Sequence, residues 1–191
     1  MAKSTDFLRC IGSFLIGGAL LASAAQLATP SNAATQGTLG TTSTGSITIT
    51  ASVANRAQIT GLTDVTFAAV DPGSAASIPQ NNCVWTNTAT KGYSITATGS
   101  GASGAFTLVN GSAATVPYSV KWAASSGQTG GTALVTGTAL PSLTSTAANP
   151  TCSTSPTTTA SLIVGISATN LQSMTAGSAY TGTLTLLVTP Q

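Results

Sequence analysis

The sequence predicts an all-β protein, an antiparallel β-sandwich, and three features of the chain support this prediction. Beyond the first thirty-odd residues it is rich in Thr, Ser, Gly, Ala, Val and Ile, and poor in the charged and amide side chains that coat helices. Several short runs alternate apolar and hydroxyl side chains with a period of two. Turn-forming Gly, Pro, Asn and Asp residues separate these runs, which indicates short strands joined by tight connections.

The N-terminal segment, residues 1–33, is predicted to be an export signal that is removed from the mature protein. Lys3 and Arg9 provide a positive start, residues 11–28 form an apolar stretch, and Ser31-Asn32-Ala33 is a small-x-small cleavage site. A membrane anchor is the alternative, because about 20 apolar residues can span a bilayer. Polar residues within the stretch favour the export signal.

The first predicted strand covers residues 46–53. Its apolar side chains alternate with hydroxyls, so they share one face and predict a strand that is buried on one side. These apolar residues are Ile47, Ile49, Ala51 and Val53. The other predicted strands are residues 64–70, 92–98, 105–109, 116–122, 133–135, 160–166 and 180–188. This many short strands in one exported domain indicates an immunoglobulin-like antiparallel β-sandwich.

The charge composition excludes several classes of function. Only 4% of the residues are charged, against roughly a quarter in an ordinary soluble domain, and the chain has neither His nor Glu. Acid-base catalysis, nucleophilic catalysis and metal binding all need such groups in clusters, so we expect no enzyme, no catalytic or metal-binding residue and no cofactor. A net charge of +2 forms no basic surface, so nucleic acid is not an expected partner.

Two cysteines, Cys83 and Cys152, remain once the signal containing Cys10 is removed. Two cysteines in an exported protein predict one disulfide bond, worth roughly 4 kcal/mol on the chain-entropy model. The alternative, two free thiols, is disfavoured by an oxidising compartment.

Three further features have both a functional and a structural interpretation. Four aromatic residues could stack against sugar rings, but so few aromatics in a sandwich indicate core positions. They are Trp85, Tyr93, Tyr118 and Trp122. The run Asn110-Gly111-Ser112 matches a glycosylation sequon, although Asn-Gly between apolar runs predicts a hairpin turn. Lys91 or Lys121 could form an isopeptide bond, which the absence of a Glu catalyst disfavours.

Both ends of the mature chain resemble a known family of exported subunits. In residues 176–191 a glycine turn and Tyr180 lead into an alternating apolar strand at the carboxyl terminus. Residues 34–45 form a polar leader rich in Gly, Thr and Ser, followed at once by the alternating strand. These features resemble chaperone-usher pilus subunits of the archaic type and the related spore-coat-U-like domains. The resemblance extends through residues 93–101 and 160–166.

The resemblance implies a sandwich without its last strand and with a hydrophobic groove in its place. A periplasmic chaperone would fill this groove first, and the N-terminal strand of the next subunit would fill it later at an outer-membrane usher. The donated side chains would be Ile47, Ile49, Ala51 and Val53, and one groove wall would consist of Tyr180, Leu184, Leu186 and Val188. Residues 34–53 would then be leader and donor strand, and residues 54–191 a pilin-like domain.

The implied function is that of a structural subunit of an extracellular pilus or surface fibre, used in adhesion or biofilm formation. A self-contained secreted sandwich that binds carbohydrate or a surface is the alternative. The two differ in where residues 47–53 pair, in a second copy or in their own domain. One departure concerns the cysteines, since many family members place the first one early in the first strand. Residues 55–61 contain none, so the family's disulfide topology is not carried over.

Overall fold

The computed structural model describes residues 34–191 as two units, residues 34–52 and residues 53–191. In the first unit, Thr35 and Ser46 form an isolated bridge, each donating its N–H to the other's carbonyl at 2.9 Å. The remainder of this unit has no strand, and its side chains are exposed. The export signal predicted for residues 1–33 lies outside the described residues. Within residues 34–191, no helix is both long and apolar enough to cross a lipid bilayer.

The second unit is an antiparallel β-sandwich, which confirms the predicted all-β class. Its strands are β1 (Ala57–Thr60), β2 (Ala76–Thr86), β3 (Gly92–Gly99), β4 (Thr107–Leu108), β5 (Val116–Pro117), β6 (Ser119–Ala123), β7 (Thr132–Ala133), β8 (Ala139–Thr144), β9 (Ala160–Ile166) and β10 (Leu184–Pro190). A short helix, α1 (Ala168–Gln172), follows β9, and the Ser167 hydroxyl caps it by accepting the Asn170 N–H at 3.2 Å.

Two sheets form the layers of the sandwich. The larger, sheet A, has the order β1-β2-β9-β6-β7, and the smaller, sheet B, has the order β10-β3-β8. In sheet A, β2 pairs with β9 from Ala76 opposite Ile166 to Asn82 opposite Ala160. Strands β4 and β5 form a separate hairpin, whose connection begins with the predicted Asn110 turn.

The core lies between the inward faces of the two sheets, where alternate residues of β3, β6 and β9 are buried. At its centre the Trp122 indole N–H donates to the Tyr93 hydroxyl at 3.1 Å. Tyr93, Tyr118 and Trp122 are all buried, as the core interpretation predicts. Trp85 packs instead against a second, smaller cluster of Cys83, Ala147 and Cys152.

The chain enters the sandwich through a clamp at the end of β2. The Asn87 side chain accepts the Arg56 N–H at 2.6 Å and donates to the Ala54 carbonyl at 2.8 Å. The Asn87 N–H donates to the Arg56 carbonyl at 3.2 Å. Residues 54–56 are therefore tied to the domain just before β1 starts.

The strand predictions are confirmed at some positions and wrong at others. The prediction for residues 160–166 matches β9, and that for residues 92–98 is one residue shorter than β3. Residues 47–53 and 64–70 form no strand, while β1, β2, β8 and α1 were not predicted.

Candidate functional site

A cleft of about 740 Å³ opens in residues 53–191. One side is an irregular segment, residues 62–70, here called the lip. The other side is the stretch from Ser178 into the first half of β10. Apolar side chains of β9, α1 and the β4 hairpin form the floor, and they include Leu162, Val164, Ile166, Leu171, Met174 and Leu108. The cleft is thus an opening in the edge of the sandwich that leads to the apolar core.

The lip begins where the chain turns away from sheet A. Gly61 has a φ of +77°, in the left-handed region that favours glycine, and it ends the pairing of β1 with β2. The Gln80 side chain of β2 then holds Thr63, accepting its N–H at 2.9 Å and donating to its carbonyl at 3.2 Å. Half-buried Val65, Phe67 and Val70 pack from the lip onto the core.

Strand β10 forms the other wall of the cleft and has an open edge. Within residues 34–191 it pairs with β3 along one side only, from Leu184 opposite Gly99 to Pro190 opposite Tyr93. Strand β1 approaches β10 without a backbone hydrogen bond. The β10 edge therefore retains unpaired main-chain groups, a template for another strand.

The hydrogen-bond pattern shows which residues of β10 direct their main-chain N–H and C=O groups away from β3. The Gln191 N–H donates to the Gly92 carbonyl at 2.9 Å, so the main-chain groups of residues 185, 187 and 189 face β3. Those of Leu184, Leu186 and Val188 then face the open edge. Pro190 faces it too, and its lack of an N–H is tolerated there because no neighbour needs one.

The side chains of β10 follow the same alternation. Leu184, Leu186 and Val188 are half-buried and pack against the core, while Leu187 points outward and is 60% exposed. Leu184 and Leu186 line the cleft, as does Tyr180, whereas Val188 lies outside its lining. Three of the four predicted wall residues therefore meet at the cleft.

The end of the cleft where β10 begins is closed by local hydrogen bonds. Val109 and Thr181 exchange backbone hydrogen bonds at 2.8 and 2.9 Å, and the Thr183 N–H donates to the Ser100 hydroxyl at 2.9 Å. These bonds replace pairing with β3, so β10 begins at Leu184 and not at Tyr180 as predicted. The Thr175 N–H donates to the Tyr180 hydroxyl at 3.1 Å and lowers its pKa.

The floor of the cleft is apolar apart from Tyr118, whose hydroxyl is buried, while the walls carry polar side chains that include Thr63, Asp64 and Gln80. Tyr118 is 8% exposed, lines the cleft and packs against the Phe106 ring with centroids 5.7 Å apart. The hydroxyl has no hydrogen-bond partner within residues 34–191. Burial raises its pKa, because removing the group from water disfavours the phenolate.

The predicted disulfide bond is present. Cys83 of β2 is bonded to Cys152, with Cα atoms 6.3 Å apart, and ties the loop between β8 and β9 to sheet A. The Ser145 hydroxyl donates to the Val84 carbonyl beside it, and the Lys91 ammonium donates to the Ala147 carbonyl at 3.1 Å.

The predicted donor residues are exposed. Ile47, Ile49 and Val53 are 73%, 84% and 87% accessible, and Ala51 is exposed as well. Sequence reasoning missed Gln80, because a single amide within a strand pattern signals no site, and it named Tyr118 only as a core aromatic or a sugar-stacking candidate. The alternation of Val65 and Phe67 predicted a strand over residues 64–70, where the structure has the irregular lip.

The fold and the cleft define a class: a disulfide-bonded antiparallel sandwich with an open strand edge beside an apolar opening. Neither protein-family models nor curated proteins yield a match to this chain.

Proposed function

We propose that this protein is a structural subunit of an extracellular fibre, in which residues 46–53 of one copy add a strand to the cleft of the next. The open edge of β10, directly beside a cleft with an apolar floor, supports this proposal more than any other observation. Addition of an extended segment to a sheet edge is an established mode of recognition.

The proposed donor fits the edge in length and in pattern. Ile47–Val53 spans as many residues as β10, which has 7. Apolar side chains at every second position would point inward, into the cleft where the donor lies beside Leu184 and Leu186, and the intervening hydroxyls would face outward. The ladder would be antiparallel, like every other strand pair of the sandwich.

Burial of apolar surface supplies the driving force for assembly. Ile47, Ile49 and Val53 would together contribute roughly 5 to 9 kcal/mol before ordering costs, at about 1.5 to 3 kcal/mol each. Residues 46–53 carry no charge, so the donor itself brings no ion into the cleft, whose one charged lining residue is Asp64.

The assembly is heterologous, because the donor and the acceptor are different surfaces of the same chain. Such a contact propagates from copy to copy into a fibre. Each cleft would be filled before assembly by a periplasmic chaperone, and an outer-membrane usher would exchange the chaperone for a donor strand. Export to the cell surface and a role in adhesion or biofilm formation follow from this proposal.

Replacing Ile49 with Asp in the full chain tests the proposal. We expect this substitution to abolish fibres, because the carboxylate would be buried unpaired in the assembly, at a cost of several kcal/mol. The exported monomer should stay folded, because Ile49 is exposed in the single chain. Thr50→Asp is the matched control, since its side chain would face outward, and it should still assemble. Fibres are scored by electron microscopy, and folding by circular dichroism.

Two results would contradict the proposal: equal assembly of both variants, or unfolding of the monomer by Ile49→Asp. Either result would mean that residues 46–53 belong to their own domain, and would favour a self-contained secreted sandwich that binds carbohydrate or a surface.

A further inference from the structure

The chain carries both halves of the proposed contact, a donor segment (residues 46–53) and an acceptor cleft. A segment joined to its own acceptor by a short flexible linker has an effective concentration of about 1 mM, far above that of separate copies in solution. Such a segment would fill its own cleft before a second copy arrived. Fibre growth therefore needs a feature that keeps the donor segment out of its own cleft.

The donor segment joins the domain at the Asn87 clamp. The side chain there donates to the carbonyl of Ala54, the residue directly after the segment, at 2.8 Å. The neighbouring Thr88 hydroxyl donates to the Gly92 carbonyl at 3.4 Å, and the Gln191 N–H donates to the same carbonyl at 2.9 Å. The clamp therefore lies at the end of the sandwich where β10 finishes.

The cleft lies toward the other end of β10, since its lining includes Leu184 and Leu186 but not Val188. An antiparallel donor of the same length as β10 would bring Val53 to Leu184, at the start of the strand. The six steps from there to the end of β10 measure about 20 Å, whereas the clamp is one residue, about 3.8 Å, beyond Val53. A shift of register toward the clamp would shorten this gap, but it would draw the segment out of the cleft.

Release of the clamp would not close the gap. Strand β1 begins at Ala57, which pairs with Thr86 directly before the clamp. The four steps from Val53 to Ala57 span at most about 14 Å when fully extended, still short of about 20 Å. As long as β1 stays in sheet A, the chain cannot place its own donor antiparallel to β10.

The length of the chain would still permit parallel self-insertion, which the leader opposes. The inward residues of β10 carry its open main-chain groups, so a parallel partner would meet them with its outward residues. With Ile47 opposite Leu184, the group that meets the Leu184 N–H is the Ser46 carbonyl, which already accepts the Thr35 N–H at 2.9 Å. Parallel pairing is also slightly less stable per residue than antiparallel pairing. Parallel self-insertion thus costs the Thr35 bridge and gains less.

We propose, on the basis of the proposed function, that the short connection between the donor segment and β1 prevents self-insertion, so that the cleft accepts this segment only from a second copy. The Asn87 clamp and β1 hold this connection, residues 54–56, at the end of β10 that is far from the cleft. The segment of a second copy can enter antiparallel, because no short connection joins it to that end.

Lengthening the connection tests this inference. Insertion of about twelve Gly and Ser residues between Val53 and Ala54 of the full chain gives a linker with a root-mean-square span of about 19 Å, which matches the gap. The donor then meets its own cleft at about 1 mM, on the order of a hundredfold above copies at about 10 μM. We expect sedimented fibres to fall more than about tenfold in favour of a folded monomer.

The matched control places the same insertion between Thr129 and Gly130, in an exposed loop outside the donor and the cleft, and should form fibres as the wild-type chain does. The lengthened monomer should unfold at a higher urea concentration than the Ile49→Asp monomer, because a bound donor stabilises the fold. Adding Ile49→Asp to the lengthened chain should abolish this gain.

Freshly refolded wild-type monomer provides a test that needs no variant. The amides of Leu184, Leu186 and Val188 should exchange with solvent rapidly, because an empty cleft leaves the edge of β10 open. The same amides should exchange slowly in the lengthened monomer.

The inference is overturned if the lengthened chain assembles as wild type does, if the control insertion loses fibres equally, or if the lengthened monomer is no more stable than the Ile49→Asp monomer. Slow exchange at the β10 edge of the wild-type monomer would overturn it too. In these cases wild-type fibres still form and the proposed function stands. Failure of the wild-type chain to form fibres would overturn both.

Discussion

Among single residues, Tyr93 is central to the stability of the core. It is fully buried on β3, opposite Pro190 of β10 and Leu143 of β8, so it packs where all three strands of sheet B meet. Its hydroxyl accepts the Trp122 indole N–H at 3.1 Å. Burial raises the pKa of Tyr93 above the ordinary 10.0, and the weaker effect of the Trp122 bond opposes this.

We therefore expect the free energy of unfolding to fall at alkaline pH. A pKa that is higher in the folded than in the unfolded protein stabilises the fold fully below pH about 10, and this stabilisation is lost as pH rises through the folded pKa. Tyr93→Phe should lessen the alkaline fall, and at neutral pH it should cost about 1 to 3 kcal/mol because the Trp122 N–H loses its partner. Urea unfolding followed by tryptophan fluorescence measures both effects.

Tyr180→Phe is the control for this pH dependence. Its pKa is lowered by the Thr175 N–H, so its contribution has the opposite sign and its removal should not lessen the alkaline fall. An equally steep fall in Tyr93→Phe would contradict the role given to Tyr93.

At the scale of the elements, the lip depends on side chains where a strand would have a backbone ladder. Gln80 contacts Thr63 through three hydrogen bonds and also accepts from the Asn82 amide at 3.3 Å. Asn82 in turn donates to the Gly61 carbonyl at 3.0 Å. This network holds the start of the lip at a fixed distance from β2 and so keeps the cleft open.

Gln80→Ala should release the lip. We expect faster amide hydrogen exchange across residues 62–70, with β3 and β9 unchanged, because each lost bond is worth about 1 kcal/mol and acts only locally. Asn81→Ala is the matched control. The Asn81 side chain accepts the Gly127 N–H at 2.7 Å, so its loss should loosen that loop and leave the lip as it was. Unchanged exchange in the lip of Gln80→Ala would show that apolar packing alone holds it.

The strands also show which parts of the fold sequence patterns can predict. The sequence predicts strand β9 at its true bounds, because all its residues are apolar or small. This composition is typical of a central strand, and β9 has a paired strand on each side. Strand β2 was missed because Pro79, Asn81 and Asn82 interrupt its pattern, yet its pairing with β1 and β9 overrides these low propensities. Residues 47–53 and 64–70 have strand-like alternation, but a strand also needs a neighbouring strand, and neither segment has one in the described chain.

The candidate site could be predicted from the sequence only where local patterns determine the structure. The alternation of β10 placed Leu184 and Leu186 on an inward face, and the cysteine count indicated the disulfide bond. The cleft itself depends on the path of the lip after Gly61, a long-range property that local periodicity does not encode. The unpaired state of the Tyr118 hydroxyl depends on packing in the same way.

For the whole molecule, the scarcity of charge predicts how the proposed fibre would respond to salt. Residues 46–53 and 184–190 carry no charged side chain, and Asp64 is the one charged residue that lines the cleft, so the proposed contact contains no ion pair. We expect fibres to persist from low salt to about 1 M, where the Debye length falls to about 3 Å and exposed ion pairs are screened. Sedimentation after dialysis measures this, and dissolution at high salt would point to an electrostatic contact.

The Asn87 clamp has a mechanical consequence if residues 46–53 are held by a neighbouring copy. Tension along the fibre would reach the domain through Ala54 and Arg56 and pass into β1. Such a pull loads the hydrogen bonds of the Asn87 clamp and then those that β1 shares with β2. The last residue of β1, Thr60, lies opposite Cys83, whose bond to Cys152 carries the load onward covalently. The disulfide bond then acts as a tether at the end of the force path.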